Sequence, residues 1–94
     1  MTWGAFAASP NEWSGWATGA ESEDSARSAA IENCLSRGGV DCVVEFTFAN
    51  SCAAVATSSR RSFSAYGEGL AAVRIKALQG CGDGCEILRE GCTD

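Results

Sequence analysis

The sequence contains no histidine and only one lysine and one proline. Without histidine the chain cannot build Ser-His-Asp or Cys-His nucleophile systems, which use an imidazole as the general base. Histidine metal ligands and histidine pH switches are excluded for the same reason. Carboxylate pairs are the remaining acid–base chemistry, and glycosidases hold two of them about 5–10 Å apart. Glu12, Glu45, Glu86 and Glu90 are the candidates, and solvated strand positions are the alternative interpretation.

Long apolar runs and basic patches are also missing. No apolar run approaches the ~20 residues that a membrane-spanning helix needs. The net charge is −5, and Arg60-Arg61 is the only basic pair. Nucleic acids and anionic membranes both attract a basic patch. We therefore expect no nucleic-acid partner, no membrane span and no cofactor.

Cysteine, in contrast, is abundant, with six in 94 residues. An even number of cysteines in a short chain is typical of disulfides formed in an oxidising compartment. Reduced buried thiols and a zinc site are the alternatives, but the closest pair, Cys81 and Cys85, has three residues between and no histidine assists. We expect a secreted or cell-envelope protein whose export leader was removed, with Met1 added as a start residue.

The stretch Cys42–Thr57 is predicted to form a hairpin around the polar turn 49–51. Its β-branched and aromatic residues suit a pleated surface, and its polar residues favour a turn. Alternation places Glu45 in water and one set of side chains on the core face: Val44, Phe46 and Phe48. A buried parallel strand is the competing interpretation, which Glu45 disfavours because it interrupts the apolar run.

The chain before and after this stretch follows one order of elements. The first half is predicted to contain strands at 3–9 and 12–18 and a helix from the N-cap Ser22 to about Arg37. The inner stripe of that helix is Ala26, Ala30, Ile31, Cys34 and Leu35. The second half repeats these elements as strands at 52–58 and 63–66, a helix at 69–79 stopped by Gly80, and a strand at 85–89.

Each half, about 3–48 and 52–92, is thus strand–strand–helix–strand. We predict one domain, 1–94, of the α+β class: a pseudo-twofold duplication of a ββαβ unit, with a mostly antiparallel sheet and two helices. Neither half can cover its own hydrophobic face, so the halves are expected to pack together. Chance similarity between alanine-rich segments is the alternative.

The repeat also ranks the pairings that six cysteines allow. Cys34–Cys42 would join the end of the first helix to the next strand, and Cys81–Cys85 would do the same in the second half. Cys52–Cys92 would then tie the central hairpin to the last strand. Because it closes the longest loop, it is expected to contribute most in the chain-entropy account.

Aromatic side chains are the first candidates for binding. Trp13 and Trp16 stand three residues apart and therefore point to opposite faces of a strand. The exposed member could anchor an interface, with Phe63 or Tyr66 as its counterpart in the second half. Core packing is the alternative.

Arginines are the second candidates. Arg60 and Arg61 lie in the polar loop 58–62 and could hold a carboxylate or a phosphate by bidentate bonds. A solvated hairpin tip is the alternative interpretation of this loop.

Several segments resemble a known bacterial family. They are Trp3–Ser9, Trp13–Trp16, Ala30–Cys34, Asp41–Val44 and Asn50–Ala56. Over nearly the whole chain the sequence resembles DUF4189, a domain of unknown function found in small secreted proteins, several of them mycobacterial. The resemblance implies export, paired cysteines, a compact α+β domain and, for mycobacterial members, a host-facing role. It supplies no catalytic residues, and the sequence departs from the family pattern at Phe63 and Tyr66.

We therefore expect a secreted, non-enzymatic binding or effector protein, host-directed and virulence-associated, that acts on an unknown protein partner. The alternative is an inhibitor or immunity-type module against an extracellular enzyme, for which a protruding, rigid loop 58–62 would be the sign. An enzyme ranks third and would need a pocket with converging carboxylates. The protein is expected to be a monomer or a weak dimer.

Overall fold

The computed structural model describes residues 2–93, so the interpretation of Met1 lies outside the described residues. Two helices and six strands follow one another along these residues. In order they are β1 (Trp3–Ala8), β2 (Ser14–Ala20), α1 (Glu23–Ser36), β3 (Val43–Ala49), β4 (Ser51–Thr57), β5 (Ser62–Gly67), α2 (Leu70–Cys81) and β6 (Glu86–Thr93). This content confirms the α+β class. Neither described helix is long and apolar enough to cross a membrane.

The strands form two antiparallel three-stranded sheets, ordered β2-β1-β3 and β5-β4-β6. The chain divides into two compact units: residues up to Asn50 together with Thr93 form unit 1, and Ser51–Cys92 form unit 2. In each unit the first strand lies in the middle of its sheet, between the second and the third. This shared order supports the predicted repeat.

The predicted central hairpin is wrong. β3 and β4 are separated by Asn50 alone, yet β3 pairs with β1 and β4 pairs with β5. Asn50 adopts left-handed backbone (φ 48°), and its side-chain oxygen accepts a hydrogen bond from the Thr2 amide at 3.2 Å. A tight hairpin turn needs two residues between its strands. With a single linking residue, each strand pairs inside its own repeat instead.

The predicted alternation in β3 is also wrong. Phe6 pairs with Phe46, whereas the next residue, Ala7, pairs with Val44, so Glu45 is the extra residue of a β-bulge. The bulge reverses the alternation. Val44 packs with the residues beneath α1, while Phe46 stacks on Phe6 on the opposite face of the sheet. Glu45 is exposed, as predicted.

In unit 1, α1 lies close to one face of the sheet. Its N-cap is Ser22, as predicted, and the Ser22 hydroxyl accepts a hydrogen bond from the Ser25 amide at 3.1 Å. A Cβ placed on Gly15 would lie 2.0 Å from the Ala30 carbonyl oxygen, so only glycine permits this approach. The buried residues between the helix and the sheet are small: Ala5 and Ala7 from β1, and Ala26, Ala30 and Cys34 from α1.

One member of the predicted inner stripe of α1 is wrong. The buried line runs through Ala26, Ala30 and Cys34, which are spaced four residues apart. Leu35 lies about 100° further round the helix. It is consequently half exposed rather than buried.

In unit 2, α2 covers the equivalent face of the second sheet. The buried cluster is Cys52, Ala54, Ala56, Ala65, Val73, Ala77 and Cys81. The helix continues through Gly80, the predicted stop, to Cys81, and Gly82 (φ 98°) follows it. Gly80 serves packing rather than termination, because a Cβ there would lie 2.3 Å from the ring of Phe63.

All six cysteines are paired, as Cys34–Cys42, Cys52–Cys92 and Cys81–Cys85. These are the pairs that the repeat predicts. The first lies within unit 1 and the other two lie within unit 2.

An ion pair joins α2 to β6 and makes the stability of unit 2 depend on pH. The Nε and Nη2 atoms of Arg74 each donate to a carboxylate oxygen of Glu90 at 2.6 Å. These hydrogen bonds lower the pKa of Glu90 against an opposing effect of burial, and they raise the pKa of Arg74. A carboxyl with a lowered folded-state pKa stabilises the fold above its ordinary pKa, about 4.3, and loses that contribution as the pH falls through the folded-state value.

We therefore expect Glu90→Gln to lower the melting temperature slightly at neutral pH, because solvent reaches the pair and weakens its attraction. The difference from wild type should shrink as the pH falls below the ordinary glutamate pKa, about 4.3. Thermal unfolding of both proteins across this range measures it. A difference that grows in acid would contradict the assignment.

Candidate functional site

Unit 1 exposes three large apolar side chains where β1 and α1 end. Trp13 is 45% exposed, Leu35 50% and Val40 54%, and we call these three residues the Trp13 surface. Trp13 directly precedes β2, and Val40 lies in the loop between α1 and β3. The Gly38 amide donates to the Leu35 carbonyl oxygen at 3.1 Å, which ties Leu35 to the glycine against which Trp13 packs.

A single serine fixes the two loops that carry Trp13 and Val40. The Ser9 amide donates to the Trp13 carbonyl oxygen at 2.9 Å. The Ser9 hydroxyl donates to the Val40 carbonyl oxygen at 2.6 Å and accepts from the Val40 amide at 3.0 Å. Because Ser9 is buried, water competes little for these bonds. The loop before β2 and the loop after α1 therefore form one braced structure.

Glycine and a disulfide complete the support beneath the Trp13 ring. A Cβ on Gly38 would lie 3.3 Å from the indole Nε1, and Gly38 has a φ of 112°, which favours glycine. The Asn11 side-chain amide donates to the Gly38 carbonyl oxygen at 3.1 Å. A Cβ on Gly39 would lie 2.7 Å from both sulfur atoms of Cys34–Cys42. The indole therefore rests on a covalently crosslinked helix end.

The second tryptophan of the predicted pair, Trp16, packs against other aromatic rings. Trp16 lies on the other face of the sheet, with ring centroids 6.1 Å from Phe6 and 5.4 Å from Phe48. Its backbone amide donates to the Asn33 side-chain oxygen at 3.2 Å. The structure does not bring Trp16 onto the Trp13 surface.

The loop 58–62 of unit 2 holds the two predicted arginines. The Ser58 hydroxyl accepts hydrogen bonds from the amides of Arg60 at 3.2 Å and Arg61 at 3.3 Å, and the Ser58 amide donates to the Arg61 carbonyl oxygen at 2.8 Å. Both arginines are exposed. The Arg61 guanidinium lies beside Gly82, 3.5 Å from where a Cβ would stand. The loop is thus ordered by its own backbone, with Ser58 in the position that Ser9 has in unit 1.

Residues 3–92 match the family described as domain of unknown function (DUF4189), which is nearly the whole chain. The chain belongs to the DUF4189 family. No curated protein and no solved structure matches it.

The two aromatic residues of the second half, Tyr66 and Phe63, have different surroundings in this DUF4189 chain. Tyr66 is exposed and pairs in register with Ala53, on the sheet face away from α2. Phe63 is half exposed and packs on Gly80, at the end of α2. Phe63 is therefore the structural counterpart of Trp13, because each ring covers a glycine at the end of its helix.

Sequence reasoning missed two members of the Trp13 surface on this DUF4189 domain. Helical periodicity predicts Leu35 in the core, and Val40 gives no signal because a lone valine after a glycine pair has no distinctive pattern. The Gly38-Gly39 pair was the available clue, since one glycine faces the indole and the other faces the disulfide. Within residues 2–93, no three acidic or cysteine side chains lie close enough together to hold a metal ion.

Proposed function

We propose that this DUF4189 protein is a secreted, non-enzymatic binding protein that recognises a protein of a host or neighbouring cell through the Trp13 surface. The observation that carries the proposal is an exposed tryptophan mounted on a crosslinked helix end. The three disulfides support an oxidising, extracytoplasmic environment.

The build of the Trp13 surface suits it to binding. Tryptophan is enriched among the residues that dominate interface energetics. A surface that is already ordered before association loses less conformational entropy on binding. The hydrogen bonds of Ser9, the Gly38 contact and the Cys34–Cys42 disulfide provide that order here.

A second candidate function is inhibition of an extracellular enzyme, or immunity against one, through the loop 58–62. The observation that favours it is the internal hydrogen bonding around Ser58, which holds Arg60 and Arg61 in an exposed loop. Inhibitors commonly present a loop that is ordered before binding.

Both functions are tested by one capture experiment with two variants. Wild-type protein, Trp13→Ala and the double variant Arg60→Ala/Arg61→Ala are immobilised and exposed to host and neighbouring-cell extracts at physiological salt. We expect a partner that wild type and the arginine variant retain and Trp13→Ala loses. Removal of a central tryptophan costs about 2–4 kcal/mol, so affinity should fall roughly 30- to 1,000-fold.

The melting temperatures of the three proteins are compared first, so that a folding defect is not mistaken for a binding defect. Loss of capture in the arginine variant alone would favour the inhibitor function. Equal capture by all three proteins, or no specific partner in any extract, would contradict the assignment to the Trp13 surface.

A further inference from the structure

We propose that the segment docking on the Trp13 surface is basic, with a lysine or arginine beside an aliphatic side chain. This inference rests on the proposed function and names the chemistry of its partner. It follows from the charges that surround the surface, together with the tryptophan at its centre.

Carboxylates predominate around the three apolar side chains. Glu12 adjoins Trp13 in the chain, Asp41 adjoins Val40, and Glu32 lies one helical turn before Leu35; all three are exposed. Within residues 12–13 and 32–41, which carry the surface, Arg37 is the one basic residue, so the net charge of these two segments is 1 − 3 = −2. None of the three carboxylates forms an ion pair with a described residue. Their charge is therefore available to a partner.

The braced loops bring the residues that carry two of these carboxylates close together. Ser9 bonds to the backbone of both Trp13 and Val40, so the residues next to them, Glu12 and Asp41, lie on neighbouring turns. A cation between these turns would interact with both acids. Complementary potentials of this kind orient an incoming partner and exclude partners of the wrong charge.

The apolar residues of the Trp13 surface favour an aliphatic side chain beside the cation of the docking segment. A lysine or arginine over the face of an exposed indole gains a cation–π interaction of about 0.5–1 kcal/mol. Leu35 and Val40 offer aliphatic contact that an isolated cation would leave exposed to water. A basic side chain followed by an aliphatic one therefore uses both parts of the surface.

The test uses two synthetic peptides with blocked ends, Leu-Lys-Leu-Lys and its charge-reversed form Leu-Glu-Leu-Glu. Each is titrated into the intact, oxidised protein at about 20 mM salt, while the Trp13 side-chain N–H signal is followed by NMR. The signal is assigned by its absence in Trp13→Phe. We expect saturable shifts with the lysine peptide and at least tenfold weaker binding of the glutamate peptide.

Charge-removing variants separate the role of the acids from that of the indole. Glu12→Gln/Asp41→Asn should weaken binding of the lysine peptide at least fivefold. Glu21→Gln/Asp24→Asn removes the same charge beside the start of α1, at the opposite end of the helix, and should change it less than twofold. Equal binding of the two peptides, no shift with either, or equal effects of the two double variants would overturn the proposal.

The same variants distinguish a failure of this inference from a failure of the proposed function on which it rests. If a captured partner is lost by Trp13→Ala but retained by Glu12→Gln/Asp41→Asn, the Trp13 surface binds and the basic chemistry is wrong. If Trp13→Ala retains the partner, the proposed function itself fails.

Discussion

Replacing Cys52 and Cys92 together with alanine is expected to lower the free energy of unfolding by about 4 kcal/mol. The disulfide joins residues 40 apart in the sequence, so its loss releases a long loop in the unfolded chain. Cys81–Cys85 joins residues only 4 apart, and the same account gives about 2 kcal/mol for its removal. Both disulfides lie in unit 2, which makes the second double variant a matched control.

Urea unfolding of the two double variants and wild type under non-reducing conditions measures the difference. A smaller loss for Cys52→Ala/Cys92→Ala than for Cys81→Ala/Cys85→Ala would show that loop length does not set the contribution of these disulfides. The variants keep their other disulfides, so each measurement reports one crosslink.

Phe48→Ala is expected to destabilise the protein by about 3–5 kcal/mol. Phe48 is only 3% exposed, and its ring centroid lies 5.4 Å from Trp16 and 6.0 Å from Phe46. Its ring also covers Gly4, where a Cβ would lie 2.4 Å from the nearest ring atom. Truncation removes these contacts and leaves a cavity that the rigid sheet cannot fill.

Phe48→Leu is the matched control, because leucine preserves much of the volume and should cost less than about 1.5 kcal/mol. Unfolding in urea, followed by circular dichroism, compares the two variants. Equal losses would mean that the cavity does not determine the cost. A loss below about 1 kcal/mol for alanine would mean that Phe48 contributes little to the core.

The local elements of the fold could be predicted because local chemistry determines them. Ser22 followed by two acids specifies the start of α1, and the small residues of β1 and β4 recur at matching places. The hairpin prediction failed at Asn50. Two strands separated by one turn residue have the same sequence pattern whether they pair with each other or join different sheets. Only pairing with β1 and β5, which lie far away in sequence, decides between these outcomes.

The binding surface was harder to predict than the fold. The spacing of Trp13 and Trp16 indicated opposite faces, and the structure places them so. Which tryptophan stays exposed depends on the packing of α1 and on the pairing of β3, which places Phe48 beside Trp16, and neither can be read from single-residue patterns. The prediction for Leu35 was wrong because periodicity identifies the side of the helix that faces the sheet, but not how many neighbouring residues that contact buries.

The crosslinks of this chain are arranged so that none of the six cysteines in the described residues joins unit 1 to unit 2. A gene segment that encodes residues up to Asn50, or one that encodes the remainder, therefore encodes both cysteines of each of its disulfides. Recombination at this junction can copy or exchange either segment without creating an odd cysteine that would form mixed disulfides between chains.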